Sequence, residues 1–187
     1  SLACCKKLTL KDCSLILKKR GELMHSTIAP KQTGMAALIG KNQESIKKII
    51  HDNNLDLEIA NDNSPMQIVI SGNLNEIDKS KEIFLDNQIK KFIILNVSAA
   101  FHSRYMIKAQ NELSKEIESL DFVDNNVSII SNYDAQIYND TSSIKKNLQN
   151  QMANMVKWTK SIIKLENIGE KKLIEIGPNK VLSGLIR

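Results

Sequence analysis

Few side chains in this sequence could do chemistry, and the first to consider is His102, which follows Phe101 at the end of an apolar segment. An imidazole can take up and return a proton near neutral pH, yet a histidine in that setting, taken alone, is ordinarily a packed residue. Arg20 sits in the last third of a helical pattern, where a guanidinium can offer two parallel donors to a carboxylate or stand in solvent at a helix end. Gln151, read alone, is one more helical glutamine. His25, at a helix end, and His51, in an Ile-Ile-His-Asp stretch, read as structural or solvated. Cys4, Cys5 and Cys13 are odd in number, with no CxxC and no histidine at ligand spacing, which supports neither a disulfide framework nor a metal site. Free, mostly buried thiols are expected, and no metal.

The elements that must position these groups follow from periodicity. Thr9 and Asp12 form a capping-box pattern before Cys13, Leu15, Ile16 and Leu17, which predicts a helix over 10–24. From Gly34 the pattern changes to short strand-like runs between amphipathic helices: strand 35–39, helix 42–51, strands 55–60 and 67–71, helix 75–86, strand 92–97. That order, β-α-β-β-α-β, is the ferredoxin-like arrangement, two helices on one face of a four-stranded antiparallel sheet. Beyond it the sequence predicts a helix over 103–120, a strand over 127–131, helices over 142–155 and 158–167 and a buried strand over 173–176. Gly177 and Pro178 end that strand, and Asn179 caps a final helix over 180–186. An α/β architecture results, with 30–96 as a small subdomain set into a larger one made of 1–29 and 97–187. The larger part has few strands for a sheet of ordinary size, so a further N-terminal portion is expected.

Composition narrows the function classes. With 187 residues, 42% of them hydrophobic, the chain can bury a substantial core. Neither a membrane-length apolar run nor a signal-peptide pattern is present, so a cytoplasmic protein that does not enter membranes is expected. The net charge of +5 suits nucleic acid, the phosphates of a nucleotide cofactor or an acidic protein partner. Scattered lysines and only 4% aromatic residues argue against nucleic acid.

Five groups of residues, read in order, resemble the malonyl-CoA:acyl carrier protein transacylase family. They are Arg20-Gly21-Glu22-Leu23-Met24; Asn63-Ser64-Pro65; Gln67-Ile68-Val69-Ile70-Ser71-Gly72; Val97-Ser98 with Phe101-His102-Ser103; and Glu175-Ile176-Gly177-Pro178 with Lys180-Val181-Leu182. Their order and spacing agree over essentially the whole chain. The resemblance implies a partial α/β-hydrolase-like acyltransferase core carrying the ferredoxin-like insert. The family's Gly-His-Ser-Leu-Gly nucleophile segment and a glutamine-bearing oxyanion loop would then lie upstream of Ser1, leaving this chain inactive by itself and marginally stable or prone to associate.

The resemblance also implies roles. His102 would be the base that activates the absent serine, and Gln151 would support its ring through a carbonyl group. Arg20 would bind the malonyl carboxylate, with Phe101 filling the space an α-methyl branch would need, and Asn61 and Gln67 would lie along the substrate cleft. Partners would be malonyl-CoA as substrate and acyl carrier protein, which brings its own phosphopantetheine; no cofactor would be resident, and the parent protein would be a monomer of type II fatty acid synthesis. A polyketide-synthase acyltransferase domain and a non-catalytic ferredoxin-like protein-binding module are the alternatives. Two departures from the family pattern concern backbone stiffness: Ala100 stands where Pro is frequent, and Met155 follows Asn154 where Asn-Pro is common.

Overall fold

The computed structural model describes residues 2–27, 32–177 and 179–186 and shows a mixed α/β protein. Helix α1 (Leu10–Ser26) begins where Thr9 Oγ1 accepts the Asp12 N–H at 3.0 Å and donates to the Asp12 carboxylate at 2.6 Å. Then follow β1 (Thr33–Ile39), α2 (Gln43–Asp52), β2 (Leu57–Ser64), β3 (Gln67–Asn73), α3 (Leu74–Asp86) and β4 (Lys91–Ile94). Asn42 and Asn73 cap α2 and α3 with their side-chain oxygens. The four strands form one antiparallel sheet in the order β2-β3-β1-β4.

Strand alternation gives this sheet two different faces. Leu38, Ile68 and Ile70 point to α2 and α3 and pack with Ile46, Ile77 and Phe84, all fully buried. The opposite face carries Met35, Ala37, Ala60 and Val69, against which Leu95 and Phe101 rest. Gly72 is required where β3 meets the start of β2: a Cβ there would stand 2.7 Å from Leu57 Cδ2 and 3.2 Å from the Asp56 carbonyl oxygen.

The remaining elements are a 3-10 turn (Arg104–Met106), α4 (Ile107–Glu118), β5 (Ile129–Ile130), β6 (Ile137–Tyr138), α5 (Thr141–Asn150), α6 (Trp158–Asn167) and α7 (Val181–Leu185). A second core joins α1, α4 and α5 through Leu23, Met24, Met106, Leu113, Ile117 and Met152, with Leu148 of α5 packed against them. Lys7 is fully buried at its edge. Its ammonium donates to the carbonyls of Asn125 at 2.7 Å and Asn139 at 2.6 Å, which ties the N-terminal turn to two distant loops.

Several elements differ from the sequence-based expectation. The helix predicted over 142–155 ends at Asn150, because residues 151–156 leave the helix to meet His102 and β2. The one predicted over 103–120 opens with the 3-10 turn, and the strand predicted over 127–131 shrinks to two residues paired with β6, which was not foreseen. The buried strand expected over 173–176 is absent: the segment is not a strand, no described strand lies beside it, and Ile174 and Ile176 are 75% and 80% exposed. The cap of α7 comes from Glu175, whose carboxylate accepts the N–H groups of Leu182 and Ser183 at 3.0 and 2.9 Å, and not from Asn179. Cys4 is exposed and Cys5 and Cys13 are half-buried, all three with free thiols, so the expectation of mostly buried cysteines was wrong. The boundary expected at Ala29 and Pro30 lies outside the described residues, as does Pro178.

Candidate active site

His102 occupies a turn between β4 and the 3-10 helix, with φ of 57°, a left-handed conformation uncommon for a residue other than glycine. Its backbone N–H donates to the Met152 carbonyl at 3.2 Å. Its ring Nδ1 lies 3.1 Å from the Gln151 carbonyl oxygen and 3.2 Å from that of Asn154. Both neighbours can only accept, so Nδ1 carries the proton and Nε2 of the neutral ring keeps its lone pair.

Electrostatics favour that neutral ring. Burial pushes the His102 pKa below its usual value; the Gln151 carbonyl opposes the shift, and the positive charge of Arg20 adds to it. The charge of Arg20 thus acts on the imidazole. Arg20 is half-buried on α1, burial lowers its own pKa, and no carboxylate forms an ion pair with it among the described residues. A partly desolvated guanidinium without an internal counter-charge is suited to an anionic ligand.

Gln151 follows the last turn of α5, and it is its backbone oxygen that reaches the histidine; its side chain donates to the Asn154 carbonyl at 3.1 Å. Phe101 is half-buried and touches both the α1–α4–α5 core and the open face of the sheet. Ala100 is fully buried, and its N–H donates to Thr33 Oγ1 at 3.1 Å, a bond that a proline at this position could not make.

Asn61 and Gln67 stand apart from this group. Asn61 lies on β2 opposite Val69 and forms a parallel bridge with Val156, and Gln67 opens β3 opposite Ile39 and Ser64. Neither lines the open cleft of about 530 Å³ that reaches His102 between α2 and the 153–155 loop, whose walls include Lys47, His51, Leu57, Glu58 and Asn154. His51 is at that cleft despite a 90% exposed side chain paired with Asp52.

Three contributors were missed from sequence. Asn154 shares the histidine proton with Gln151, and Glu58 and Asp56 grip Arg104, two residues past His102. Their partners lie 46 to 52 residues away, so no local spacing could signal them. Among the described residues no group of three or more His, Cys, Asp or Glu could hold a metal ion, and no helix is long and apolar enough to cross a membrane.

Comparison with known proteins shows the family. A polyketide biosynthesis protein of Bacillus subtilis, PksE, is 43% identical over 173 residues, which cover 91% of this chain and 22% of that protein. The malonyl CoA-acyl carrier protein transacylase of the same organism is 37% identical over 184 residues, 96% of this chain and 58% of that enzyme. A solved complex of a type II polyketide synthase acyl-carrier protein with its malonyl-transacylase superposes with a TM-score of 0.93 at 27% identity, over 99% of this chain and 60% of the matched one. The chain thus spans no more than about three fifths of the length of these relatives. The family model described as acyl transferase domain matches residues 1–186, and with that match the chain belongs to the acyl transferase domain family.

Proposed function

We propose that this chain is the larger, C-terminal part of a malonyl-CoA:acyl carrier protein transacylase, working with a serine nucleophile supplied by sequence outside it. The observation that carries the reading is the His102 ring, held by two carbonyl acceptors so that Nε2 is free to act as a base, with the Arg20 charge nearby. In this reaction the serine oxygen attacks the malonyl thioester carbon while His102 Nε2 takes the hydroxyl proton. The C–S bond breaks, and the imidazolium returns the proton to the departing coenzyme A thiolate. The carrier protein's phosphopantetheine thiol then gives its proton to His102 and attacks the serine ester carbon; the ester C–O bond breaks, the imidazolium returns the proton to the serine oxygen, and the malonyl group leaves on the carrier thiol.

Arg20 pairs the free carboxylate of malonyl, which acetyl lacks. A buried site built for a carboxylate disfavours a substrate that leaves its cation unpaired. The +5 net charge favours both the coenzyme A phosphates and an acidic carrier. The β-α-β-β-α-β order and the sheet order β2-β3-β1-β4 support a ferredoxin-like insert over 30–96 in an α/β-hydrolase-like core built from 1–29, 97–187 and the outside sequence. A second reading, service to a polyketide assembly line in place of fatty acid synthesis, is favoured by the higher identity to the polyketide relative.

Radiolabelled malonyl-CoA tests the proposal. The chain joined to its upstream sequence should acquire acid-stable label, and this chain alone should not. Arg20→Ala should lower malonyl labelling by about a hundredfold while leaving acetyl labelling within about threefold, the size expected for one desolvated charge pair. Equal losses for both acyl groups would remove the carboxylate role, and the absence of label on the joined chain would remove the transferase reading.

A further inference from the structure

Strand β2 is an edge strand, and it and the residue ahead of it hold the two segments that meet at His102. Two residues beyond His102, Arg104 reaches its first half: Nη2 donates to Asp56 Oδ1 at 2.6 Å, just ahead of the strand, and Nη1 lies 3.2 Å from Glu58 Oε1. The Arg104 backbone N–H also donates to Glu58 Oε2 at 3.2 Å. Two residues beyond Asn154, Val156 joins its second half: the Val156 N–H donates to the Ala60 carbonyl at 2.8 Å, and the Asp62 N–H donates to the Val156 carbonyl at 2.9 Å. The imidazole comes from the first segment, and the carbonyls that select its tautomer come from the second.

We infer that Arg104, with Glu58 and Asp56, is a positioning group that holds the His102 turn in register with the Gln151 and Asn154 carbonyls through strand β2. His102 sits at φ of 57°, a conformation that must be imposed by its surroundings. The Val156 ladder fixes the carbonyl side, and the turn itself is held by the His102 N–H on the Met152 carbonyl and the Ala100 N–H on Thr33 Oγ1. Arg104 adds the anchor that ties the histidine side to strand β2: its planar fork reaches two carboxylates while its guanidinium also covers the Tyr105 ring at 5.1 Å. Exposed ion pairs add little to overall stability, and Arg104, Asp56 and Glu58 are all part-exposed. Their loss should therefore be felt in the local geometry and hardly in the melting temperature. The inference deepens the proposed transferase reading, since the positioned atom is the one that reading uses as the base.

The ring itself reports the outcome. The chain has three histidines, and a long-range proton–nitrogen NMR spectrum at a pH above the His102 titration distinguishes Nδ1–H from Nε2–H without any substrate. Charged or titratable groups around the ring are Arg20 from α1, Glu58 from β2, and Lys47 and His51 across the cleft from α2. A tautomer measured on the neutral ring avoids confusing their fields with a change in register. The unaltered chain should show Nδ1–H alone. Arg104→Ala and Glu58→Ala should each add the Nε2–H form, Arg104→Lys should restore most of the single form, and melting temperatures should move by less than about 3 °C.

In the chain joined to its upstream sequence, Arg104→Ala should lower kcat by about ten- to a hundredfold with KM within about threefold, the penalty of a misplaced catalytic group. Should Arg104→Ala not fold, Glu58→Gln, which removes one charge and leaves the Asp56 pair, supplies the same test. Unchanged Nδ1–H in every folded variant would overturn the inference even in an active enzyme. A tautomer that responds in a joined chain without transferase activity would support the positioning role and remove the reaction proposed for it.

Discussion

His102 is half-buried and held mainly as a neutral ring, and acid should expose that fact. Its folded pKa lies below the unfolded value, so the folded state binds fewer protons than the unfolded one as the pH falls past that value. The contribution to stability is complete above the ordinary histidine pKa of about 6.5 and is lost as the pH falls through the depressed folded value. Urea unfolding followed from pH 7.5 to pH 5 should show a falling midpoint, and His102→Asn, whose side chain tolerates a left-handed backbone, should flatten that slope. An unchanged slope in the variant would place the acid sensitivity elsewhere. Asp62 contributes with the opposite sign: burial raises its pKa, against the opposing hydrogen bond from Thr159, so its ionisation weakens the fold as the pH rises. Thr33 offers a second test. Its hydroxyl accepts the Ala100 N–H just ahead of Phe101 and His102, and Thr33→Val keeps the shape while stranding a buried donor. A loss of about 1 to 3 kcal/mol by chemical denaturation is expected.

Among the elements, those bonded to near neighbours in sequence were readable and those completed from far away were not. The central strands β1 and β3 are short runs buried on both faces and bounded by turn residues, and asparagine caps sit at the helix starts, so β1 to β4 and α2 and α3 could be placed from local pattern alone. Residues 151–156 still carry a helical pattern, yet they leave the helix because their carbonyls and Val156 find partners on His102 and β2. Tertiary hydrogen bonds outweigh a propensity difference of well under 1 kcal/mol per residue. The run 173–176 reads as a buried strand because Leu173, Ile174 and Ile176 are apolar, but such a run becomes a strand only beside another strand, and none of the described ones adjoins it. Within the site, His102, Arg20 and Gln151 could be singled out only through the family resemblance. The Asn154, Arg104 and Glu58 contacts are matters of three-dimensional register and left no trace in spacing.

At the scale of the molecule, the two cores are unequally covered. The sheet core is closed on its helical face, whereas Leu10, Leu17, Ile174, Ile176 and Val181 are between 63% and 80% exposed. Surface of that kind favours association. The melting temperature of this chain should rise with protein concentration over a hundredfold range, and a dye that fluoresces on apolar surface should bind it in the native state; a melt independent of concentration without dye binding would contradict this. Buried Lys7 adds a different handle on the same molecule. Its amine is enclosed and occupied by two carbonyls, while the other lysines described are part-exposed or exposed. In a timed reaction with an amine acylating reagent, followed by peptide mass spectrometry, Lys7 should be the last lysine modified, and its rate should climb with sub-denaturing urea. A single lysine would then serve as a clock for how often the protein opens, readable in a mixture and without purification.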